Sequence, residues 1–463
     1  MPVVVVAGLL IAVWIVARLL TENPAVRKWV SWMVIGVGMA ALLMVAGAWL
    51  HFGGMESSSA ARIAALQQRG LPTTGEELDA WYALPPGTPD ATSAWVDALS
   101  ALFDVRLSPQ QMDQLPVIGM PPLTDVSPGE PWSQAQAVED ILTEHATSLD
   151  ALRDVSLSGG AARFPISYAP RPLQAKMDHL PQLRNGARWL RLSSEFHAWR
   201  QEPQRVGEDL TAMIQLSQAN RFDPCLISVL VNGAAFNLWF DALQRAVGVS
   251  PLRAEDCERM QGRLANIDFD EAMLRALQGE RAMGLTEMRL IASPFTIESR
   301  RAYLDYLEYH ERQFINPDDP ELVNLEDSLQ LGDNLVFGRQ RLMTVRLLAP
   351  AFYHAMKGID GMEARRRIGL LTLAGRRFVV SHGRLPEAPE ELVDWLPESQ
   401  RDTVFIDPFT QQPLTFVRGE DHVIFYSVGR DETDDGGQIE ATVVGDRTEP
   451  PPDVGIRLSV LSD

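Results

Sequence analysis

Cysteine is nearly absent. The 463 residues include only Cys225 and Cys257. Neither stands in a CxxC pair, which excludes a zinc site of the usual spacing. Cys225 lies in the apolar run PCLISVLV and reads as a small buried hydrophobe. A disulfide between the two stays open if the compartment is oxidising. No GxSxG elbow, phosphate-binding glycine loop or dinucleotide fingerprint occurs. The HExxH zinc pattern fails because Phe314 stands where the second histidine would follow His310 and Glu311, so Glu308, His310 and Glu311 read as a surface helix face. Acidic pairs such as Asp268/Asp270 and Asp318/Asp319 fall at helix starts, where carboxylates cap free amides. Positive charge is also in deficit, with 41 basic against 61 acidic residues and a net charge of −20. That balance argues against nucleic acid or an anionic membrane surface as a partner for the bulk of the chain.

The N-terminal region is rich in apolar residues. Residues 3–20, VVVVAGLLIAVWIVARLL, and 30–50, VSWMVIGVGMAALLMVAGAWL, form two long runs separated by TENPAVRKW. Each is long enough at 1.5 Å per residue to cross a hydrocarbon layer of about 30 Å, and Pro24 breaks the helix between them. The expected element is a transmembrane helical hairpin whose partner is the lipid bilayer. Small-xxx-small spacings at Gly8/Ala12 and Gly36/Ala40 would let its helices pack closely. Arg18, Arg27 and Lys28 flank the turn while the N-terminal flank is uncharged, so the positive-inside rule puts the turn in the cytoplasm. The rest of the chain is then expected on the periplasmic side of an inner membrane. A cleaved signal peptide fits poorly, since the first run lacks a basic leader and ends in arginine.

From Met55 to about Ser381 the apolar spacing is helical. Thr74 with Glu77 and Ser108 with Gln111 form capping boxes, and Pro131 is expected in the first turn of a helix through Val138, Ile141, Leu142 and Leu149. Further helices are expected over 173–201, 204–218, 224–247, 251–264, 270–292, 295–314, 321–331 and 333–380. This is the pattern of an α-helical bundle or array, without a convincing repeat near 34 or 40 residues. Glu280 and Arg281 of GERAMG are expected to find partners on neighbouring helices. From Gly338 to Arg384 the chain carries nine arginines and Lys357 against Asp360 and Glu363, whereas from Pro386 onward it has 18 acidic residues against 5 basic ones. Either the basic helix and the acidic segment dock on each other, or they are two separately solvated faces. Arg365, Arg366, Arg367, Arg376 and Arg377 are expected to surround an apolar face of Ile368, Leu371, Phe378 and Val379. Strands are expected at 414–418, 422–428, 438–444 and 454–460, the last two as edges, with DRTEPPPD as an extended loop.

The ordered series His382–Pro386, Asp407–Pro413, Tyr426–Asp431 and Asp434–Gly437 resembles the C-terminal region of the major pseudopilins of type II secretion. These end in a G-x-x-P turn, a DP-x-x-x-P turn, a hairpin and a YSVG-like strand before a Gly- and Asp-rich loop. The likeness covers about 80 residues and implies a small antiparallel α+β module. It also implies calcium, with Asp431, Asp434 and Asp435 as side-chain ligands and Asp453 closing the site from the last strand; an acidic oxygen-rich loop suits that hard cation. The spacing is not that of an EF-hand, and a solvated acidic turn is the other reading. No prepilin-peptidase site precedes the first apolar run, so the resemblance does not extend to filament assembly. The segments RGLPTTGEELDAWY and GERAMG with the DPF…YSVG…DDGG ending also resemble uncharacterised membrane-anchored proteins of planctomycetes and their relatives, a likeness that implies no activity.

The expected architecture is therefore mainly α: a hairpin over 1–52, a helical domain over 53–360 and a pseudopilin-like module over 361–463. Two functions remain open. One is a non-enzymatic envelope scaffold with protein partners, linked to a secretion or pilus system. The other is a periplasmic hydrolase with its site in a cleft of the helical domain.

Overall fold

A computed structural model describes residues 56–123, 126–290, 294–316, 343–440, 442–444, 447–449 and 451–460, with Met39 and Leu322. The expected hairpin at 3–20 and 30–50, and the expected helix at 321–331, otherwise lie outside the described residues. Helix accounts for 61% and strand for 6%, which makes the chain mainly α. The helices are α1 (56–68), α2 (Gly75–Trp81), α3 (Thr92–Phe103), α4 (Pro109–Gln114), α5 (Ala135–Glu144), α6 (Ala146–Ser158), α7 (His179–Trp199), α8 (Pro203–Leu216), α9 (Leu226–Val249), α10 (Ala254–Leu264), α11 (Phe269–Leu290), α12 (Pro294–Ile315) and α13 (Met343–His382). The strands are β1 (Thr415–Arg418), β2 (His422–Ser427), β3 (Thr442–Val444), β4 (Arg447–Glu449) and β5 (Val454–Ser459).

Backbone contacts divide the chain into two compact units. The first takes Met1–Leu71, Met288–Tyr309 and Asp319–Arg346, and the second takes Pro72–Glu287, His310–Asp318 and Leu347–Asp463. In the first, Arg62 of α1 holds Asp305 and Glu308 of α12, and Ile63, Tyr303, Leu304 and Leu307 are buried.

The second unit is built on α7, which packs against α3, α8 and α9. Caps read from the sequence are present. Thr74 accepts the N–H of Glu77, although Glu77 reaches back to the N–H of Thr73 at 2.7 Å and not to that of Thr74. Ser108 and Gln111 close a full capping box. The single helix expected from Pro131 is instead two, beginning at Ala135. His145, at φ −108° and ψ 18°, ends α5 and caps α6. The corner it makes lets α6 reach α3 and α8 while α5 lies on α7. Its ring meets Trp189 edge-on at 5.5 Å. Among the described residues, α9 is the one helix long and apolar enough to cross a membrane by length and composition. Most of its apolar stretch is buried, and α7, α8 and β5 pack against it.

Arg281 of α11 pairs with Glu311 of α12, both buried, and Glu280 accepts the N–H of Leu226 at 2.9 Å. Both residues of the GERAMG segment thus find inter-helix partners. The surface reading of His310 and Glu311 is corrected, because they are 6% and 4% exposed. The ion pair explains Glu311, and His310 Nδ1 lies 3.0 Å from Gln313 Oε1.

Among its described side chains, which begin at Ala355, helix α13 is buried on several sides, and Arg366 and Arg376 are buried with it instead of ringing an apolar stripe. Ile368, Leu371, Phe378 and Val379 are buried as expected. The C-terminal sheet lies on this helix: a Cβ built on Gly375 would come within 2.7 Å of Leu458 and 3.7 Å of Phe425. The docking is not chiefly charge on charge. Arg366 donates to Gln400 Oε1 at 2.8 Å, Arg367 to the carbonyl of Ile406 at 2.6 Å and Arg377 to the carbonyl of Trp395 at 3.1 Å. Glu363 on the same helix neutralises Arg366 and Arg367, each at 2.6 Å. A guanidinium presents several donors in one plane, so it can hold a carboxylate and a carbonyl together.

The sheet is antiparallel with order β1-β2-β5, so β5 is an edge as expected. The other expected edge does not join it. β3 pairs with β4 in a separate two-stranded ladder, and β4 comes from the segment expected as loop. Pro450, Pro451 and Pro452 follow. Lacking N–H groups, they cannot extend that ladder.

Candidate functional site

Three polar constellations in the second unit are candidates, and each is fixed by its own elements. The first is the acidic loop after β2. Asp407, 2% exposed, accepts from the N–H of Phe409 at 3.0 Å, the hydroxyl of Ser427 at 2.9 Å and the N–H of Val428 at 3.1 Å. The DPF turn is thereby tied to the end of the YSVG strand, which gives a physical reason for the two motifs to occur together. Tyr426 donates its hydroxyl to Asp434 at 2.9 Å, and the same carboxylate accepts the N–H of Gly436 at 2.9 Å. Burial and this bond push the Tyr426 phenol up to about 12.

Asp453, fully buried, lies against the loop and accepts from Gly437 at 2.8 Å and Gln438 at 3.0 Å, with a longer contact to the N–H of Asp435 at 3.5 Å. Burial raises its pKa, while those amides pull the other way. Asp431 is exposed and accepts the N–H of Thr433 at 3.2 Å. Asp435 is also exposed. Among the described residues no three His, Cys, Asp or Glu side chains converge as a metal would need. The carboxylates of Asp431, Asp434 and Asp453 are turned toward the loop's own amides.

The second constellation is a cleft of about 280 Å³ lined from α5, α6, α7 and α8 and the turn between α7 and α8. Leu142, Leu149 and Phe196 supply apolar surface, and charged groups surround them. Arg153, buried, donates to Asp209 at 2.6 Å, Asp150 at 2.7 Å and Ser193 at 2.7 Å. Arg200 lies over the Phe196 ring at 5.7 Å and pairs with Glu139 at 3.2 Å. Ser193 and His197 stand one helical turn apart on α7 and both line the cleft. This pair would have been visible in the sequence as an i,i+4 spacing, but Asp209 and Glu202 would not. They do not form a nucleophile and base. Ser193 gives its proton to Asp209 at 2.7 Å and accepts from Arg153, while His197 Nδ1 pairs with Glu202 at 2.7 Å. A serine activated for attack needs its hydroxyl hydrogen-bonded to the base.

The third is sealed beneath the surface. Asp223, 1% exposed, accepts Tyr82 OH on one oxygen. Its other oxygen takes His179 Nε2 at 2.7 Å, Ser228 at 2.9 Å and Asn220 at 3.4 Å. The His179 contact requires its proton on Nε2. Phe164 stacks on the His179 ring at 4.2 Å. Cys225 Sγ is 3.0 Å from Ser228 Oγ, and burial with the Asp223 charge pushes its thiol up to about 12. The thiolate is the reactive form, and burial disfavours it here. Burial also raises the pKa of Tyr82 and Tyr168. Both cysteines are free.

No family model, curated protein or solved structure matches the chain.

Proposed function

We propose that the chain is a membrane-anchored envelope protein whose second unit works by binding protein partners, as a scaffold component, and not by catalysis. One observation carries this reading: the groups able to do chemistry in the cleft are committed elsewhere, since Ser193 points its proton at Asp209 and His197 holds Glu202. The sealed Asp223 network supports it, as its histidine and cysteine have no open approach and its thiol is held protonated. Anchoring rests on the apolar runs 3–20 and 30–50, and a periplasmic soluble part rests on Arg18, Arg27 and Lys28 beside the turn. The link to a secretion or pilus system rests on the Asp407–Gly437 motifs alone.

A crosslinking pull-down from native membranes, wild type against Arg200→Glu, tests the binding role. The expected result is a discrete protein adduct that the charge reversal removes. Turnover of an ester, glycoside or peptide panel that His197→Ala abolishes would overturn it in favour of the hydrolase. An alkaline phosphatase fused after Asp463 should be active, and activity of a cytoplasmic reporter there would refute the orientation. The resemblance adds calcium at Asp431, Asp434 and Asp435. Binding there would have to draw Asp434 away from Tyr426 and Gly436. EDTA should then lower Tm, and Asp431→Ala should cancel that response; a wild type indifferent to EDTA would exclude the ion.

A further inference from the structure

Two arginines in the second unit contrast with the acid-paired ones. Arg221 and Arg263 line a pocket of about 180 Å³ with Gly159, Gln215, Gln218 and Asn266. Each spends one donor on a carbonyl at a helix end. Arg221 reaches Gln218 O just beyond α8 at 3.1 Å, and Arg263 reaches Leu157 O in the last turn of α6 at 3.1 Å. Arg221 also lies over the Phe222 ring at 4.4 Å, and among the described residues the remaining N–H groups of both arginines have no protein acceptor. Among the described residues neither arginine forms an ion pair, whereas Arg153, Arg253, Arg366, Arg367 and Arg377 each hold a carboxylate within 4 Å. Arg163 and Arg275 also form no ion pair, but each donates to two backbone carbonyls, whereas Arg221 and Arg263 each use one and share a pocket.

We propose that this pocket binds a small tetrahedral oxyanion, a phosphate group either free or as a monoester. Paired guanidinium forks match its oxygens in number and direction. The carboxamides of Gln215, Gln218 and Asn266 line the same space; Gln218 already donates to Ser217 and Asn266 to the carbonyl of Gly262, so Gln215 is the one of the three without such a bond among the described residues. The volume is that of about six waters, enough for a phosphate group and too small for a nucleotide with its base. Gly159, at φ +77°, is part of the construction, because a Cβ there would meet the Arg263 guanidinium at 3.0 Å. Burial lowers the pKa of Arg221, with only Glu271 opposing it, and a bound anion would offset that desolvation.

The test is calorimetric titration of the purified full chain with inorganic phosphate and, separately, with glycerol phosphate, at ionic strength held constant with chloride. Saturable binding of either ligand is expected. The ligand that binds more tightly tells the free ion from the monoester. Arg221→Gln and Arg263→Gln should each weaken it tenfold or more. Asn266→Asp, at an exposed position that cannot disturb the core, should do the same by offering the arginines an internal carboxylate. No saturable heat with either phosphate in the wild type, or equal affinity in Asn266→Asp and both glutamine variants, overturns the proposal.

Discussion

Glu195→Gln should remove a pH dependence built into α7. Glu195 is 6% exposed. Its oxygens lie 3.6 Å from Arg191 Nε and 3.6 Å from Arg245 Nε, beyond a good hydrogen bond. Arg191 sits closer to Asp241, at 3.1 Å, and Asp241 adds a like charge. Desolvation therefore outweighs the two cations, and the carboxyl is raised from 4.5 to about 7. Between those values the folded chain holds a proton that the unfolded chain has released. Stability from this group is complete at acid pH and falls as pH rises toward 7. The loss amounts to about 3 kcal/mol at 1.4 kcal/mol per pH unit. Thermal melts at pH 5 and pH 8 measure it. The wild type should lose a few degrees of Tm relative to Glu195→Gln on going to pH 8, while the two agree more closely at pH 5. Parallel pH profiles in the two proteins would refute the account, since they would mean Glu195 is charged in the fold throughout.

Two further substitutions test the packing and the sealed network. A Cβ on Gly279 would fall 1.8 Å from Pro224 O, so Gly279→Ala should destabilise by about 3 kcal/mol or more in urea unfolding, at the upper end of overpacking costs. Gly262→Ala, with open space at that position, should be neutral or stabilising by up to about 1 kcal/mol; equal effects would show that backbone approach is not the cause. Asp223→Ala strips the acceptor from Tyr82, His179 and Ser228 and should cost about 3–5 kcal/mol, with Asp223→Asn losing less because it keeps one carbonyl acceptor. A loss below about 1 kcal/mol for the alanine variant would mean the network contributes little.

Local rules made part of this fold legible. The Ser108–Gln111 box, the 3.6-residue spacing of α7 to α12, and the β1–β2 hairpin depend on neighbours in sequence, and they appear where the pattern puts them. The corner at His145 does not announce itself, because its gain comes from α6 reaching α3 and α8. The arginines of α13 read as surrounding an apolar face, whereas Arg366 and Arg367 turn to Glu363, Gln400 and the carbonyl of Ile406, and Arg377 to the carbonyl of Trp395, partners that spacing does not reveal. The candidate sites divide the same way. Asp407 and the loop to Gly437 are contiguous enough to form a motif. Asp223 meets His179 and Tyr82 across 44 and 141 residues, and spacing cannot reveal such a meeting. Asp453, which the resemblance implies as closing a calcium site, lies beside the loop and accepts the N–H groups of Gly437 and Gln438.

The attachment of the C-terminal sheet to α13 bears on how such an ending could be inherited. A portable module keeps its bonds to itself, so it can be cut out and joined to a new chain. Here the carbonyls of Trp395 and Ile406 and the amide of Gln400 are answered by Arg377, Arg367 and Arg366 of the preceding helix. Leu458 rests where only Gly375 leaves room. Lysine is a poor replacement for Arg366 and Arg367, since a single ammonium cannot hold Glu363 and a backbone carbonyl in one plane, and the chain has only three lysines, Lys28, Lys176 and Lys357. The helix and the sheet are therefore a single heritable piece: recombination that separated them would strand buried donors on one side and buried acceptors on the other.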